Sequence, residues 1–202
     1  ISPYNAQEIT RASTKIEIIK RRIKAAKTDT TKIKLLQQWS DLVFISNPEK
    51  DLDIQQQVID ICVEHLKSEK IPYLQKWFLE QESMALDKTA TSYYYEGEDQ
   101  KALKFYTASS KILEDLANDN LLSIDNTYLL STTCNKIARM YEGEGNFKNA
   151  LNYYQKSMRL ESEVQAQRAK QQNIQHVKDS ILLVSSKICL LYTSPSPRDN
   201  TG

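Results

Sequence analysis

Chain-breaking residues are scarce in this sequence, which carries 4 glycines and 5 prolines in 202 residues. That scarcity excludes a collagen-like or low-complexity chain and a many-turned β-sandwich, and it favours long helices. Cysteine is scarce too. Cys62, Cys134 and Cys189 are too few and too scattered for a disulfide framework or a zinc knuckle. A reducing, cytoplasmic compartment is therefore the expectation. Neither sign of charge dominates, since 27 basic and 26 acidic residues leave a net charge of +1. That balance points neither to nucleic acid nor to an anionic membrane surface as a partner. No apolar run reaches the roughly 18 residues of a membrane span. The chain starts at Ile1-Ser2-Pro3 with no apolar signal segment after it, which reads as a fragment of a longer protein.

The usual catalytic constellations are missing as well. His65 and His176 fall in different predicted helices, and Glu64-His65 is not part of a His-Glu-x-x-His motif. Gly143 and Gly145 follow no strand and lack a phosphate-binding lysine, so they mark a turn between helices. Cys62 and Cys134 fall on apolar helical faces, where a buried inert thiol is the ordinary outcome. Glu142 and Glu144 are close in sequence, but a carboxylate pair without a cleft carries no chemistry. The expectation is a non-enzyme with no catalytic residue, cofactor or metal site.

What is present is helical periodicity. Residues 4 to 26 carry Ile9, Ile16, Ile19 and Ile23 along one side, with Ala12 and Ala26 nearby. A cap at Thr28–Thr31 precedes a second helix from Lys32 to Ile45, which Asn47-Pro48 ends. The third runs from Asp53 to Lys67 and the fourth covers residues 73 to 95, with an interruption left open. The fifth spans Gln100 to Ala117 and the sixth Ile124 to Tyr141. The seventh starts near Phe147 and extends to about Ile188, either continuously or with a break at Gln171 to Asn173. Short polar connections make neighbouring helices antiparallel.

Two stretches repeat. Tyr93, Gly97, Ala102-Leu103 and Phe105-Tyr106 match Tyr141, Gly145, Ala150-Leu151 and Tyr153-Tyr154 at the same spacings. Ala90 and Ala138 precede them, and Ser109 and Ser157 follow. On these residues the chain resembles the tetratricopeptide repeat (TPR) superfamily. The alanines let paired helices approach, the aromatics fill the wider gaps, and the glycine releases the chain from the first helix.

The copies lie 48 residues apart (150 minus 102), whereas the family's unit is about 34. Asp99 stands where the second copy has Phe147, and Glu114 and Ser162 replace the family's closing proline. Long-helix variants, such as those of kinesin light chain or the arms of proteasome-lid subunits, are similar in style. The resemblance implies an all-α, right-handed α-α superhelix, a TPR-like solenoid of antiparallel hairpins. Its expected parts are N-terminal hairpins over 1–72, two repeats with a lengthened connection over 73–170, and a further helix over 171–188. Residues 189–199 resemble translated sequencing-adaptor sequence, so 189–202 is expected to be an artefactual tail or else a short flexible one.

Such a superhelix presents a concave surface lined by the first helix of each pair. The exposed positions expected there are Asp87, Thr91 and Tyr94 in the first copy, and Thr132, Asn135, Arg139 and Glu142 in the second. Asn135 and Arg139, one turn apart, are half of the carboxylate clamp that some family members use, or else an ordinary solvated face. Tyr93 is expected in the core, with Tyr94 at the surface or against a partner. Ile174, Val177, Ile181, Val184 and Ile188 form a short apolar seam, either the next packed helix or a partner-binding one. The implied function is a non-catalytic scaffold holding a peptide or folded protein. The alternative is a structural arm of a large assembly, of the proteasome-lid or transport-complex kind.

Overall fold

The computed structural model describes the backbone of residues 3–193 and the side chains of residues 13–183. The fold is all-α, with seven helices among the described residues. They are α1 (Pro3–Ala25), α2 (Asp29–Val43), α3 (Pro48–Ser68), α4 (Pro72–Tyr95), α5 (Asp99–Asn118), α6 (Ile124–Gly143) and α7 (Phe147–Thr193). Ile9, Ala12, Val184 and Ile188, expected on apolar faces, lie outside the described side chains, and residues 194–202 lie outside the described backbone.

Local chemistry sets the helix starts. Thr28 Oγ1 accepts the Thr31 N–H at 3.3 Å, Asn47 Oδ1 the Lys50 N–H at 3.0 Å, and Ser123 Oγ the Asn126 N–H at 3.2 Å. Pro48 and Pro72 occupy the first turns of α3 and α4, where a missing N–H costs nothing. The prolines therefore start helices as well as ending the preceding ones.

The ends of α4 and α6 are near copies. Gly97 and Gly145 adopt φ of +77° and +74°. Glu98 N–H then bonds Tyr93 O at 2.9 Å, and Asn146 N–H bonds Tyr141 O at 2.8 Å. No breaker interrupts α4, which is continuous. The same holds for α7, which passes through residues 171–173 unbroken. The stretch 171–188 is thus a continuation of α7 rather than a further helix, because its glutamine- and alanine-rich approach is sound helix-forming sequence.

Contacts between side chains fix the arrangement. Ser83 meets Ser109 while Tyr93 stacks on Phe105, so α4 and α5 run antiparallel. Ser131 meets Ser157 while Tyr141 stacks on Tyr153, so α6 and α7 do the same. Gln55 to Ser40 and His65 to Asp29 order α3 against α2 in the same sense. A second set of bonds joins alternate helices. Gln37 reaches Gln81 and Asp41 reaches Lys88, tying α2 to α4. Asp87 reaches Lys136, tying α4 to α6, and Glu114 reaches Lys156, tying α5 to α7. Hence α2, α4 and α6 form one row and α5 and α7 belong to a second, with α3 packed against both α2 and α4.

Each helix packs mainly on its neighbours in the chain. Ile33, Leu36, Ile54, Val58 and Phe78 form one apolar cluster shared by α2, α3 and α4, with Ile16 and Ile23 of α1 against it. Ala90, Ala102, Tyr106 and Ile137 form a second, and Leu113, Leu130, Cys134 and Leu160 a third, with Tyr153 touching both. Trp39 covers the end of the first cluster, with Lys20 of α1 and Lys50 of α3 each 5.3 Å from its ring.

Two expectations follow. Each of Gly97→Ala and Gly145→Ala costs about 1 kcal/mol in urea unfolding, because a Cβ there meets open space but a left-handed backbone. Burial pushes the Cys62 thiol up to about 12, with Glu82 adding to it, and burial pushes Cys134 up to about 11. Mass spectrometry after iodoacetamide at pH 8 therefore finds both unmodified in the folded chain and alkylated in urea.

Candidate protein-binding face

The row of α2, α4 and α6 carries the residues singled out in the sequence, but it divides them differently. Asp87 and Thr91, expected exposed, are turned toward the next helix of the row. Asp87 is only 6% exposed. Its Oδ1 accepts the Thr133 hydroxyl at 2.7 Å and its Oδ2 accepts Lys136 Nζ at 2.7 Å. Thr91 is half-buried, sharing a hydrogen bond with the Tyr106 phenol at 2.9 Å and accepting from Lys136 at 3.3 Å. The reason is lateral packing: α6 lies along the flank of α4 that presents Asp87 and Thr91, so both become joints between helices.

Lys136 was not singled out in the sequence, and it is the hub of this joint. Besides Asp87 and Thr91, its ammonium lies 5.0 Å from the Tyr106 ring. Burial raises the Tyr106 phenol above its usual range. The equivalent joint one helix earlier uses Lys88, which bonds Asp41 at 2.8 Å and Ser40 at 3.2 Å. A usable signal existed in the spacing: these ion pairs span 49 and 47 residues, within one residue of the 48 that separate the matching sequence stretches.

Asn135 and Arg139 occupy the positions of α6 that Asp87 and Thr91 occupy in α4, and both are exposed. They stand on a flank that no described helix covers. Glu142 is exposed and accepts the Tyr154 phenol at 2.7 Å, a bond that raises the Tyr154 phenol. Thr132 is half-buried, its hydroxyl donating to Leu129 O at 2.9 Å. Tyr94 is 41% exposed and meets Arg139 at a recess formed with Tyr106 and Lys136. That recess holds about 30 Å³, far below the roughly 300 Å³ at which ligand sites begin. Tyr93, by contrast, packs into the central cluster. The face thus brings Tyr94 and Arg139 together, spends Asp87 and Thr91 internally, and leaves Asn135 apart.

Exposure of apolar groups is concentrated elsewhere. Beyond Val164, which is 1% exposed, α7 leaves the body of the protein. Arg168 lies over Tyr128 of α6, at 5.2 Å from its ring. Ile174, Val177 and Leu182 then stand 48%, 59% and 67% exposed on the projecting helix. Among the described residues, no group of three or more His, Cys, Asp or Glu is placed to hold a metal ion. No described helix is long and apolar enough to cross a membrane.

No protein-family model matches the chain, and no curated protein matches it in sequence. Among solved structures, the chain is similar to BtubC (BKLC) from P. vanneervenii, with a TM-score of 0.54 and 17% sequence identity. The likeness covers 77% of this chain and 56% of that one, so this chain spans little more than half the length of BtubC. At that identity the likeness is one of fold.

The joint is testable. Lys136→Ala leaves the Asp87 carboxylate buried without its cation and lowers stability by about 2 kcal/mol, the lysine being partly solvated. The double variant Asp87→Asn, Lys136→Ala recovers most of that loss. Urea melts of the unaltered chain, the singles Asp87→Asn and Lys136→Ala and the double variant read the coupling, and simple additivity would mean the pair links nothing.

Proposed function

We propose that this chain is a non-catalytic structural arm of a multiprotein assembly, a long-helix TPR-like solenoid that contacts its neighbours through the projecting part of α7. The observation that carries this reading is where charge and apolar surface lie. A peptide groove along the row of α2, α4 and α6 needs free charges there, and Asp87 is paired with Lys136 and Asp41 with Lys88. An arm needs apolar surface away from its own core, and Ile174, Val177 and Leu182 supply it. Support for the TPR reading comes from contacts that recur 48 residues apart. The Ser83–Ser109 and Tyr93–Phe105 contacts correspond to Ser131–Ser157 and Tyr141–Tyr153. The fold shared with BtubC suits an elongated helical subunit. Inert buried thiols suit a cytoplasmic setting.

A peptide-binding scaffold is the second reading, and exposed Arg139 beside Tyr94 is the observation that favours it. Affinity purification from the native cell, with cross-linking at Lys170 and Lys178, separates the two. The arm reading expects a defined complex cross-linked through α7, lost with Val177→Glu, Leu182→Glu and intact with Asn135→Ala, Arg139→Ala. Loss with the second pair and survival with the first would replace the arm by a groove.

A further inference from the structure

The turn between α2 and α3 does not close against α4. A cavity of about 710 Å³ opens there, lined by Phe44, Ile45 and Pro48 from the turn and by Ser92 and Tyr95 from α4. Glu49 and Glu96 line it as well. Ile45 is 90% exposed and Tyr95 75% exposed, so much of the wall is apolar surface in contact with water. Ser92 is 3% exposed and its hydroxyl has no hydrogen-bond partner. The volume is of the size that receives a small ligand or a large side chain.

The corresponding junction 48 residues later is shut, and the comparison explains the opening. Met140 stands there in the position of Ser92 (140 minus 92), 7% exposed and packed into the central cluster. By place in the helix rather than by the 48-residue offset, which would reach Gly97, Gln100 corresponds to Glu49: each is the second residue of its helix, α5 and α3. Its Nε2 donates to Glu144 Oε1 at 2.7 Å, latching the turn to α6. Glu96 is the counterpart of Glu144 (144 minus 96 is again 48). At the first junction, then, a serine replaces the methionine that fills the space, and a carboxylate replaces the amide that latches it. Two carboxylates offer acceptors and no donor, so they cannot latch to one another at neutral pH. Neither Glu49 nor Glu96 has an ion-pair partner among the described residues. Apolar walls with two uncompensated carboxylates match an apolar body that brings a positive charge.

We propose that this cavity receives a segment of a partner protein in which a bulky apolar residue lies next to a lysine or arginine. The apolar side chain fills the space over Ser92 against Phe44 and Tyr95, and the cation pairs with Glu49 and Glu96. The site is remote in sequence from α7 and stands whether or not α7 is an assembly surface.

The test uses the full chain, labelled with ¹⁵N, and two capped peptides, Gly-Ser-Phe-Arg-Ser-Gly and Gly-Ser-Phe-Glu-Ser-Gly. The arginine peptide is expected to give saturable shifts of the Ile45, Ser92 and Glu96 amides, and to bind about tenfold more tightly than the glutamate peptide. Ser92→Met, which installs the residue of the closed junction, abolishes the shifts. Glu49→Gln, Glu96→Gln weakens the arginine peptide about tenfold and equalises the two. Should Ser92→Met not fold, the glutamine pair, on exposed residues, decides alone. Equal binding of both peptides to the unaltered chain, no saturable shift at millimolar peptide, or binding indifferent to the variants overturns the proposal.

Discussion

Two helices share serine hydroxyls and alanine faces only where neither presents a bulky side chain, and that close approach organises this protein. Ser109 donates to Ser83 O at 2.8 Å, and Ser131 donates to Ser157 O at 3.0 Å. Ala90, Ala102 and Ala138 are fully buried and Ala150 is 3% exposed. With α4 against α5 and α6 against α7 held this tightly, aromatic pairs at the other end of each hairpin have a gap of fixed width. Tyr93 on Phe105 at 5.5 Å and Tyr141 on Tyr153 at 5.8 Å fill it. A hairpin so built still has apolar flanks, and stacking on the next hairpin is the way to bury them.

Stacking then creates a demand that apolar packing does not meet. Side chains between helices of one row must set the lateral register, and here polar groups do so. Lys88 joins α4 to α2 and Lys136 joins α6 to α4. Asp87 is buried at its joint, so a mismatched neighbour would strand a charge in a dry place. The cost of a wrong partner is therefore high even if the right one adds little net stability. The same logic explains why residues that look like a binding face in a single hairpin become joints in a stack.

Departures from the 48-residue sequence recurrence are as informative as its matches. With Ser92 where the later junction has the packing methionine, and Glu49 where it has the latching glutamine, the first junction holds an open, largely apolar cavity that two carboxylates line. The projecting α7 departs in another way: its apolar residues continue past Val164 after the helices that would cover them have fallen behind.

Much of the fold was legible before any coordinate, because its signals are local. Glycine at a positive φ, threonine and asparagine caps, proline in the first turn and apolar spacing act within a few residues of themselves. Apolar spacing and the turn residues locate the seven described helices but not every end: the spacing starts α3 at Asp53, whereas it starts at Pro48, because the proline that stops α2 also opens α3. The alanine, glycine and aromatic pattern exposed the 48-residue recurrence. The candidate face was legible only in part. Asn135 and Arg139 are exposed as their positions suggested, whereas Asp87 is buried and Lys136, the residue that buries it, went unnoticed. Helical periodicity tells which residues share a face, but not which neighbour that face meets. Only tertiary stacking decided that α6 would cover the flank of α4, that the first junction would stay open, and that α7 would stand exposed over residues 168–183. Each of these depends on contacts between residues far apart in the chain, where the decisive quantity is the space left between helices.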